Sequence, residues 1–323
     1  MSVTPLDLGS WRTPVEPAPR LATALGLEPG DLLVKRDDLV GPGGGGNKVR
    51  KLEWTCAEAV AAGSDTLVTT GAAQSNHARL TAAAGARLGL RVVLVLGGEP
   101  PAEPRGNLLL DALFGAEVVW AGDVDAPGLQ AAAERVATEA AADGARPYVV
   151  PFGGSTTVSV QGYTAAGREL AAQVPDLRHV AVALGSGGTM AGLVRALGPD
   201  KVLGVHCGAV PDAHAAVAHL LDGSAGPDPA LRIRTDQVGA AYDRLAEPAW
   251  DAVLLAARTT GLVLEPTYTG RALAGLAAAV RDGEVVPGER TVLVHTGGLP
   301  GLFGHAEAVD RLAEAARAGR QER

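Results

Sequence analysis

The sequence alternates short runs of β-branched and apolar residues with longer segments rich in alanine and leucine, and the alternation continues along most of the chain. The short runs predict strands at 32–36, 66–70, 91–98, 117–122, 147–152, 179–185, 201–208 and 290–298. The longer segments predict helices at 77–88, 129–142, 164–173, 250–260 and 271–281. This order is typical of an α/β protein whose parallel sheets are covered by helices on both faces. Ligands of such sheets bind beyond the carboxyl ends of the strands, so we expect the chemistry in the loops that follow strands.

Composition and charge narrow the possible classes of protein. With 323 residues, 47% of them hydrophobic and 20% charged, the chain suffices for one large or two medium globular domains. A formal net charge of -8 argues against a nucleic acid or an anionic membrane as partner. The two cysteines, Cys56 and Cys207, lie far apart in apolar segments, so we expect a reducing cytoplasm and no disulfide framework. No apolar run reaches membrane-spanning length, no export signal is visible, and no metal site is predicted.

A run of glycines followed by a lysine comes after the first predicted strand. The glycines at 43–46 allow positive φ angles and let a planar group lie against the backbone, and Lys48 follows at the expected start of a helix. The amine of such a lysine can form a Schiff base with an aldehyde cofactor when desolvation or nearby cations lower its pKa. The neighbouring cations are Lys35, Arg36, Arg50 and Lys51. A flexible loop before a basic helix is the simpler interpretation of the same residues.

A second segment, 71–79, takes the chain from a predicted strand into a predicted helix. Ser75 and Asn76 stand at the helix entry, where free backbone N–H groups and polar side chains suit a carboxylate. Either residue can instead serve only as the helix cap. His77, in the first turn, is a candidate base, or else a packed or solvated side chain.

A third segment, 184–192, again joins a strand to a helix, through a glycine-rich turn. Backbone N–H groups and hydroxyls at a helix start predict a phosphate site made by Gly185, Ser186, Gly187, Gly188 and Thr189. The segment lacks the Gly-Lys-Ser/Thr ending of a P-loop and the pattern of a dinucleotide-binding motif, so we expect a monophosphate. The alternative is a tight turn without a ligand.

The last predicted strand leads into 295–300, where Thr296 can hydrogen-bond a ring nitrogen without protonating it. The alternative is again a turn without a ligand. A lysine for an aldehyde, a turn for a phosphate and a hydroxyl for a ring nitrogen together indicate pyridoxal phosphate as cofactor.

These segments together resemble the fold type II pyridoxal-phosphate enzymes, in particular the branch with D-cysteine desulfhydrase and 1-aminocyclopropane-1-carboxylate deaminase. The resemblance runs nearly from end to end and is carried by KRDD at 35–38, GGNKVRKLE at 45–53, QSNHAR at 74–79, EPTYTG at 265–270, PFGGS, GSGGT and HTGG. It implies two open, mainly parallel twisted sheets with helices on both faces. It also implies a large domain from 1–50 and 163–323, a small inserted domain at 51–162, and a homodimer. One departure is 156–161, where relatives carry a smaller, glycine-containing segment.

The resemblance also implies roles for single residues. Lys48 is expected to hold the cofactor, Asn76 to meet its 3-hydroxyl, and Ser75 to contact the substrate carboxylate or assist proton transfer. Two active-site tyrosines of the family are 26 positions apart, as are Tyr242 and Tyr268 among the four tyrosines of this chain. Further contacts with substrate or cofactor are expected from His77, Tyr268, Thr269 and Thr296.

Two positions separate the activities within this branch. Thr269 and Thr296 are both threonine, as in the desulfhydrases, whereas the deaminases carry Glu and Leu there. We therefore expect β-elimination from a small cysteine-like amino acid, above all D-cysteine, to pyruvate, hydrogen sulfide and ammonia. The alternative enzymes are a 1-aminocyclopropane-1-carboxylate deaminase and a lyase for another β-substituted amino acid such as cysteate. The alternatives without turnover are a cofactor- or amino-acid-binding regulator and a nucleotide-binding protein that does not use this cofactor.

Overall fold

The computed structural model describes residues 3–222 and 230–321. The strands are β1 Val15–Pro17, β2 Leu32–Lys35, β3 Thr66–Ala72, β4 Arg91–Gly97, β5 Glu117–Trp120, β6 Pro147–Val150, β7 His179–Leu184, β8 Val202–His206, β9 Arg232–Arg234 and β10 Thr291–Val294. The helices are α1 Pro19–Ala24, α2 Lys48–Ala61, α3 Asn76–Leu88, α4 Asn107–Leu113, α5 Ala126–Ala142, α6 Val160–Gln173, α7 Gly188–Leu197, α8 Ala213–Leu221, α9 Glu247–Thr260, α10 Thr269–Arg281, α11 Leu299–Gly304 and α12 Ala306–Gln321.

The strands form two sheets. The six-stranded sheet has the order β1-β2-β10-β7-β8-β9, and the four-stranded sheet has the order β5-β4-β3-β6. Neighbouring strands run parallel in both sheets, except that β1 is antiparallel to β2. Parallel neighbours require long crossover connections, and helices supply most of them here. The predicted fold class, two open and mainly parallel sheets, is therefore confirmed.

Apolar clusters cover both faces of each sheet. In β7, Ala181 belongs to the cluster on one face, and Val182 belongs to the cluster on the other. In β4, Leu94 and Val93 divide in the same way between the two faces of the smaller sheet. Alternate residues of a strand point to opposite faces, so both faces of both sheets are buried beneath helices.

Each strand predicted from the sequence is present. Most predicted ranges run past the strand ends, whereas β3 continues beyond its predicted end at residue 70 to Ala72. β8 ends at His206 and β10 at Val294, because the glycines that follow weaken the strand and belong to loops. The edge strands β1 and β9 were not predicted. Each has only three residues, VEP and RIR, which is too short for an alternation of apolar and polar side chains to be visible.

The strands of the four-stranded sheet all come from 66–150, inside the predicted small domain at 51–162. The domain boundaries themselves stay a prediction. Within the described residues, no helix combines the length and the apolar character that a membrane span needs. Across 3–222 and 230–321, no three His, Cys, Asp or Glu side chains are grouped so that they could hold a metal ion.

Candidate active site

A cavity of about 540 Å³ lies where the carboxyl ends of strands from both sheets meet. The loops after β3, β7 and β10 all reach it, as the parallel topology predicts. The predicted site residues that line it are Lys48, Ser75, Asn76, His77, Gly185, Ser186, Gly187, Thr189, Tyr242, Tyr268 and Thr296. The chain thus brings together residues as far apart in sequence as Lys48 and Thr296.

Lys48 is the first residue of α2, and its side chain lines the cavity. Burial lowers the pKa of its amine from 10.5 to about 8. An amine with this pKa is partly unprotonated near neutral pH, which attack on an aldehyde requires. The residue before it is tied to the last site loop, because the Asn47 backbone N–H donates to the Thr296 carbonyl oxygen at 3.0 Å.

The glycines before Lys48 are required by close backbone contacts. Gly45 and Gly46 have φ angles of 71° and 128°. A Cβ at Gly45 would collide with the Asp38 carbonyl, and a Cβ at Gly46 would lie 2.9 Å from the Thr296 carbonyl oxygen. Only glycine can adopt these positive φ angles and also fit so close to the neighbouring carbonyl groups. The glycine run therefore determines where Lys48 lies.

The cations that neighbour Lys48 in sequence do not account for its lowered pKa, because burial is the cause. Three of them are paired with carboxylates: Lys35 with Glu169, Arg36 with Asp38, and Arg50 with Asp37. Their charges are directed into ion pairs and not toward the cavity. The sequence allowed two causes for a lowered pKa of Lys48, desolvation and nearby cations, and the structure supports desolvation.

Lys51, three residues along α2 from Lys48, is a second amine and is fully buried. Its Nζ donates to the Gly153 carbonyl oxygen and, at 2.9 Å, to Ser155 Oγ. Burial lowers the pKa of Lys51 well below its usual value, and the charge of Lys48 lowers it further. Both hydrogen-bond partners are neutral, so an anion bound here would gain a buried counter-charge. Lys51 was expected only as a neighbouring cation, although its spacing places it on the same helix face as Lys48.

The turn between β7 and α7 has the chemistry of an anion site. α7 begins at Gly188, and the first N–H groups of a helix lack partners within that helix. Ser186 Oγ lies 2.8 Å from Ser155 Oγ, which also accepts from Lys51. Hydroxyl groups, helix N–H groups and a buried amine therefore converge from three segments of the chain.

Two contacts hold this turn in place. Thr189 Oγ1 accepts from Asn47 Nδ2 at 2.9 Å, which joins the turn to the residue before Lys48. Gly188 lies behind the cavity wall, where an added Cβ would meet Ser155 Oγ at 2.5 Å. Asn47, a cavity residue that the sequence analysis did not single out, is therefore a link between the lysine and the turn.

Ser75 caps α3, since its Oγ accepts from the Ala78 backbone N–H at 3.1 Å, and it also lines the cavity. Asn76 Oδ1 accepts from Asn107 Nδ2 at 3.0 Å. Asn107 is fully buried and also donates to the Gln74 carbonyl oxygen at 2.9 Å. It therefore orients Asn76 from another helix, α4, a contact that no local sequence pattern could predict.

His77 is packed into the cavity wall, where one nitrogen of its ring is held by a hydrogen bond. Thr69 Oγ1 donates its single hydrogen to the Val150 carbonyl oxygen at 2.9 Å, so it accepts from His77 Nε2, also at 2.9 Å. Burial lowers the pKa of His77 well below its usual value, and the charges of Lys48 and Lys51 lower it further. Of the alternatives for this residue, the structure supports the packed side chain.

Tyr242 and Tyr268 face each other at the cavity. Their hydroxyl oxygens are 2.5 Å apart, and their rings meet edge to face with centroids 5.9 Å apart. Burial raises the pKa of Tyr242 to about 12 and that of Tyr268 well above its usual value. Both hydroxyls therefore hold their protons at neutral pH. The Tyr268 ring also packs on the turn between β7 and α7, since a Cβ at Gly185 would lie 3.0 Å from it.

The two threonines that distinguish the branch differ in position. Thr296 lines the cavity, whereas Thr269 is 1% exposed and lies behind the wall. The Thr269 hydroxyl accepts from the Glu265 backbone N–H at 2.8 Å, so the predicted substrate contact is corrected to a supporting role. Glu265, which was not predicted, accepts backbone N–H bonds from Thr267, Tyr268 and Thr269, and thereby shapes the loop that presents Tyr268.

This set of groups fits pyridoxal phosphate. Lys48 offers an amine for the aldehyde, the 185–189 turn with Lys51 offers donors for the phosphate, and Thr296 offers a hydroxyl for the ring nitrogen. A further sign of fit is Lys51, a fully buried amine that donates to the neutral groups of Gly153 and Ser155. Burial lowers its pKa, and a phosphate bound nearby would favour its charged form.

Comparison with known proteins gives the same result. The sequence pattern of a family described as pyridoxal-phosphate dependent enzyme matches residues 6–297. The chain is 39% identical over 319 residues to a D-cysteine desulfhydrase of Yersinia pestis, covering 93% of this chain and 95% of that protein. It is 37% identical over 322 residues to a Pyrococcus abyssi protein named provisionally as a 1-aminocyclopropane-1-carboxylate deaminase, covering 94% of both.

A solved structure described as an ACC deaminase homologue is similar over 96% of both chains, with a TM-score of 0.85 and 32% sequence identity. The relatives are matched over nearly their whole length, so the similarity concerns the complete fold and not one motif. The chain belongs to the pyridoxal-phosphate dependent enzymes, in the family that contains the 1-aminocyclopropane-1-carboxylate deaminases and the D-cysteine desulfhydrases.

Proposed function

We propose that the enzyme catalyses β-elimination from a cysteine-like amino acid, converting D-cysteine and water to pyruvate, hydrogen sulfide and ammonia. The observation that carries the proposal is the threonine hydroxyl at 296, which lies at the cavity. The family resemblance implies leucine at this position in the deaminases. Threonine at 269 completes the desulfhydrase-like pair. The relative named D-cysteine desulfhydrase supports the proposal at 39% identity.

When bound, pyridoxal phosphate supplies an electron sink that stabilises negative charge on the substrate α-carbon. The chain supplies the base. The Lys48 amine, with its pKa lowered to about 8, can take the α-proton near neutral pH and still be basic enough to hold it. Lys51 cannot take this role, because its Nζ donates to Gly153 and Ser155.

The entry to α3 binds and orients the substrate. Free N–H groups at this helix start, with Ser75 and Asn76, suit the substrate carboxylate. Asn107 fixes the Asn76 amide, so the carboxylate site is formed before substrate arrives. A substrate held by its carboxylate has its α-carbon at a defined distance from Lys48, which is the main benefit of orientation.

The tyrosine pair can supply the proton that the leaving sulfur needs. Breaking the Cβ–S bond releases a thiolate, which takes a proton to leave as hydrogen sulfide. Tyr242 and Tyr268 both hold protons at neutral pH, so one of the paired hydroxyls can donate to the sulfur. The tyrosine regains its proton from solvent, to which Lys48 returns the α-proton that it took, so that the protons balance. Hydrolysis of the remaining aminoacrylate consumes one water and gives pyruvate and ammonia.

A comparison of substrates tests the proposed activity. Cofactor-loaded protein given D-cysteine should release sulfide, pyruvate and ammonia in equal amounts. We expect kcat/KM for D-cysteine to exceed that for L-cysteine, cysteate and 1-aminocyclopropane-1-carboxylate by at least about tenfold. Faster ring opening of 1-aminocyclopropane-1-carboxylate, measured as 2-oxobutyrate, would show that the enzyme is a deaminase. The Lys48→Ala variant provides the blank for spontaneous loss of sulfide.

Deamination of 1-aminocyclopropane-1-carboxylate is the second candidate, because relatives with that provisional name are equally prominent. The double change Thr269→Glu with Thr296→Leu should reduce D-cysteine elimination by about tenfold or more, as removal of an active-site donor does. Thr296→Leu alone should carry most of the loss, since only Thr296 reaches the cavity. Thr296→Ser keeps the hydroxyl and is the matched control. A loss that comes from Thr269→Glu alone would contradict the assignment of Thr296 as the deciding residue.

The homodimer, which the family resemblance implies, and the cytoplasmic location, which the cysteine content suggests, also stay proposals. Sedimentation velocity of the purified protein tests the first, and cell fractionation tests the second.

A further inference from the structure

We propose that Arg271 is a positioning residue that fixes the Tyr242 hydroxyl against Tyr268 by binding the backbone of the Tyr242 loop to the helix that carries Tyr268. The expected effect of Arg271 on turnover rests on the proposed function. The arrangement itself rests on contacts that the structure shows.

Arg271 is fully buried, and its hydrogen-bond partners are backbone carbonyl groups. They are the carbonyl oxygens of Cys207, Ala241 at 2.9 Å, Tyr242 at 3.1 Å and Arg244 at 3.0 Å. A guanidinium presents several donors in a rigid plane, so one side chain can collect carbonyl groups that would otherwise repel one another. The segment 241–244 is thereby gathered around one group.

The segment that carries Tyr242 needs this support. Residues 235–246, between β9 and α9, form no helix or strand, so no ladder of backbone hydrogen bonds holds them. Three carbonyl groups within 241–244 bind Arg271 instead. The position of the Tyr242 ring therefore depends on one side chain from another part of the chain.

Arg271 is linked just as directly to the other tyrosine. Tyr268 is the residue before α10, and Arg271 is three residues later in the first turn of that helix. The bond from Arg271 to the Cys207 carbonyl adds the end of β8 as a third fixed point. The 2.5 Å separation of the two hydroxyl oxygens is thus set by a helix, a loop and a strand end that meet at one guanidinium.

A double-mutant cycle between Arg271→Met and Tyr242→Phe tests the proposal. In the wild-type background, Arg271→Met should lower kcat by about a hundredfold, the cost of misplacing a reacting group by about 1 Å, with KM changed little. In the Tyr242→Phe background, the same change should cost less than about threefold, because the hydroxyl it positions is already gone. Arg271→Lys keeps the charge but has fewer donors and no rigid plane, so it should restore only part of the activity. Equal losses in both backgrounds would make Arg271 a merely structural residue and overturn the proposal.

A spectroscopic readout is independent of turnover. Tyrosine rings 5.9 Å apart and edge to face give a coupled near-ultraviolet circular dichroism signal, which Tyr242→Phe removes. Cofactor-free Arg271→Met should lose the same signal while it keeps its far-ultraviolet spectrum. Arg195→Met is the matched control, since Arg195 donates to the carbonyl groups of Leu220 and Leu221, away from the tyrosines. An unchanged tyrosine signal in Arg271→Met overturns the proposal even if the wild-type protein eliminates no sulfide, a result that by itself would refute only the proposed function.

Discussion

Lys48→Ala should fold, yet it should lose the visible absorbance of bound cofactor and the adduct that borohydride fixes to the wild-type protein. Elimination should fall by about four orders of magnitude or more, as expected when the covalent and proton-accepting group of a site is removed. The cavity keeps its other donors in this variant, so weak, non-covalent binding of the cofactor is expected to remain. Absorbance spectroscopy, mass spectrometry of the borohydride-treated protein and sulfide release measure the three effects.

Lys51→Met is the matched control, because it also removes a buried amine from α2. Lys51 donates to Gly153 and Ser155 and does not reach the aldehyde in our assignment. This variant should therefore still become yellow at high cofactor concentration, although it binds the cofactor less tightly. Retention of the borohydride adduct by Lys48→Ala and its loss from Lys51→Met would reverse the roles of the two lysines.

The pH dependence of cofactor attachment is a second test of Lys48 as the amine that binds the aldehyde. Only the unprotonated amine attacks an aldehyde, and the pKa of Lys48 is lowered from 10.5 to about 8. The rate of attachment should thus rise with pH and level off above about pH 8. A rate that continues to rise toward pH 10 would indicate an ordinary, solvated lysine.

The strands and the site loops could be predicted because both depend on local patterns. A central strand such as β7 is a continuous apolar run, and the parallel topology then places the loop after it at the ligand-binding edge. Strands β1 and β9 could not be predicted in this way. Their three residues adopt extended backbone only because β2 and β8 lie beside them.

Side-chain direction is the part of the site that local patterns do not determine. Lys35 and Lys51 are both near Lys48 in sequence, but Lys35 pairs with Glu169 while Lys51 points to Ser155. Thr269 follows an active-site tyrosine, yet its hydroxyl is bonded to Glu265. In each case the direction of the side chain depends on a residue from another segment or on the fold of the loop.

Ser186→Asp should fold and bind almost no pyridoxal phosphate, because it places a carboxylate where the phosphate is proposed to lie. Ser186 lines the cavity, and its Oγ is 2.8 Å from Ser155 Oγ, which accepts from Lys51. A charge at Gly187 would be a poorer test, since a Cβ there would meet the Ala216 backbone at 3.3 Å on α8. Ser186 lines the cavity, so the new side chain at this position can extend into it.

The expected size follows from the charges. Two like unit charges about 4 Å apart, at an effective dielectric constant of about 20, repel by about 4 kcal/mol. This repulsion corresponds to about a thousandfold increase in the Kd of the cofactor, which equilibrium dialysis can measure. Ser186→Asn has nearly the shape of Ser186→Asp without its charge, so the ratio of the two Kd values isolates the electrostatic effect. If the two variants retain cofactor equally, the phosphate does not bind at the 185–189 turn.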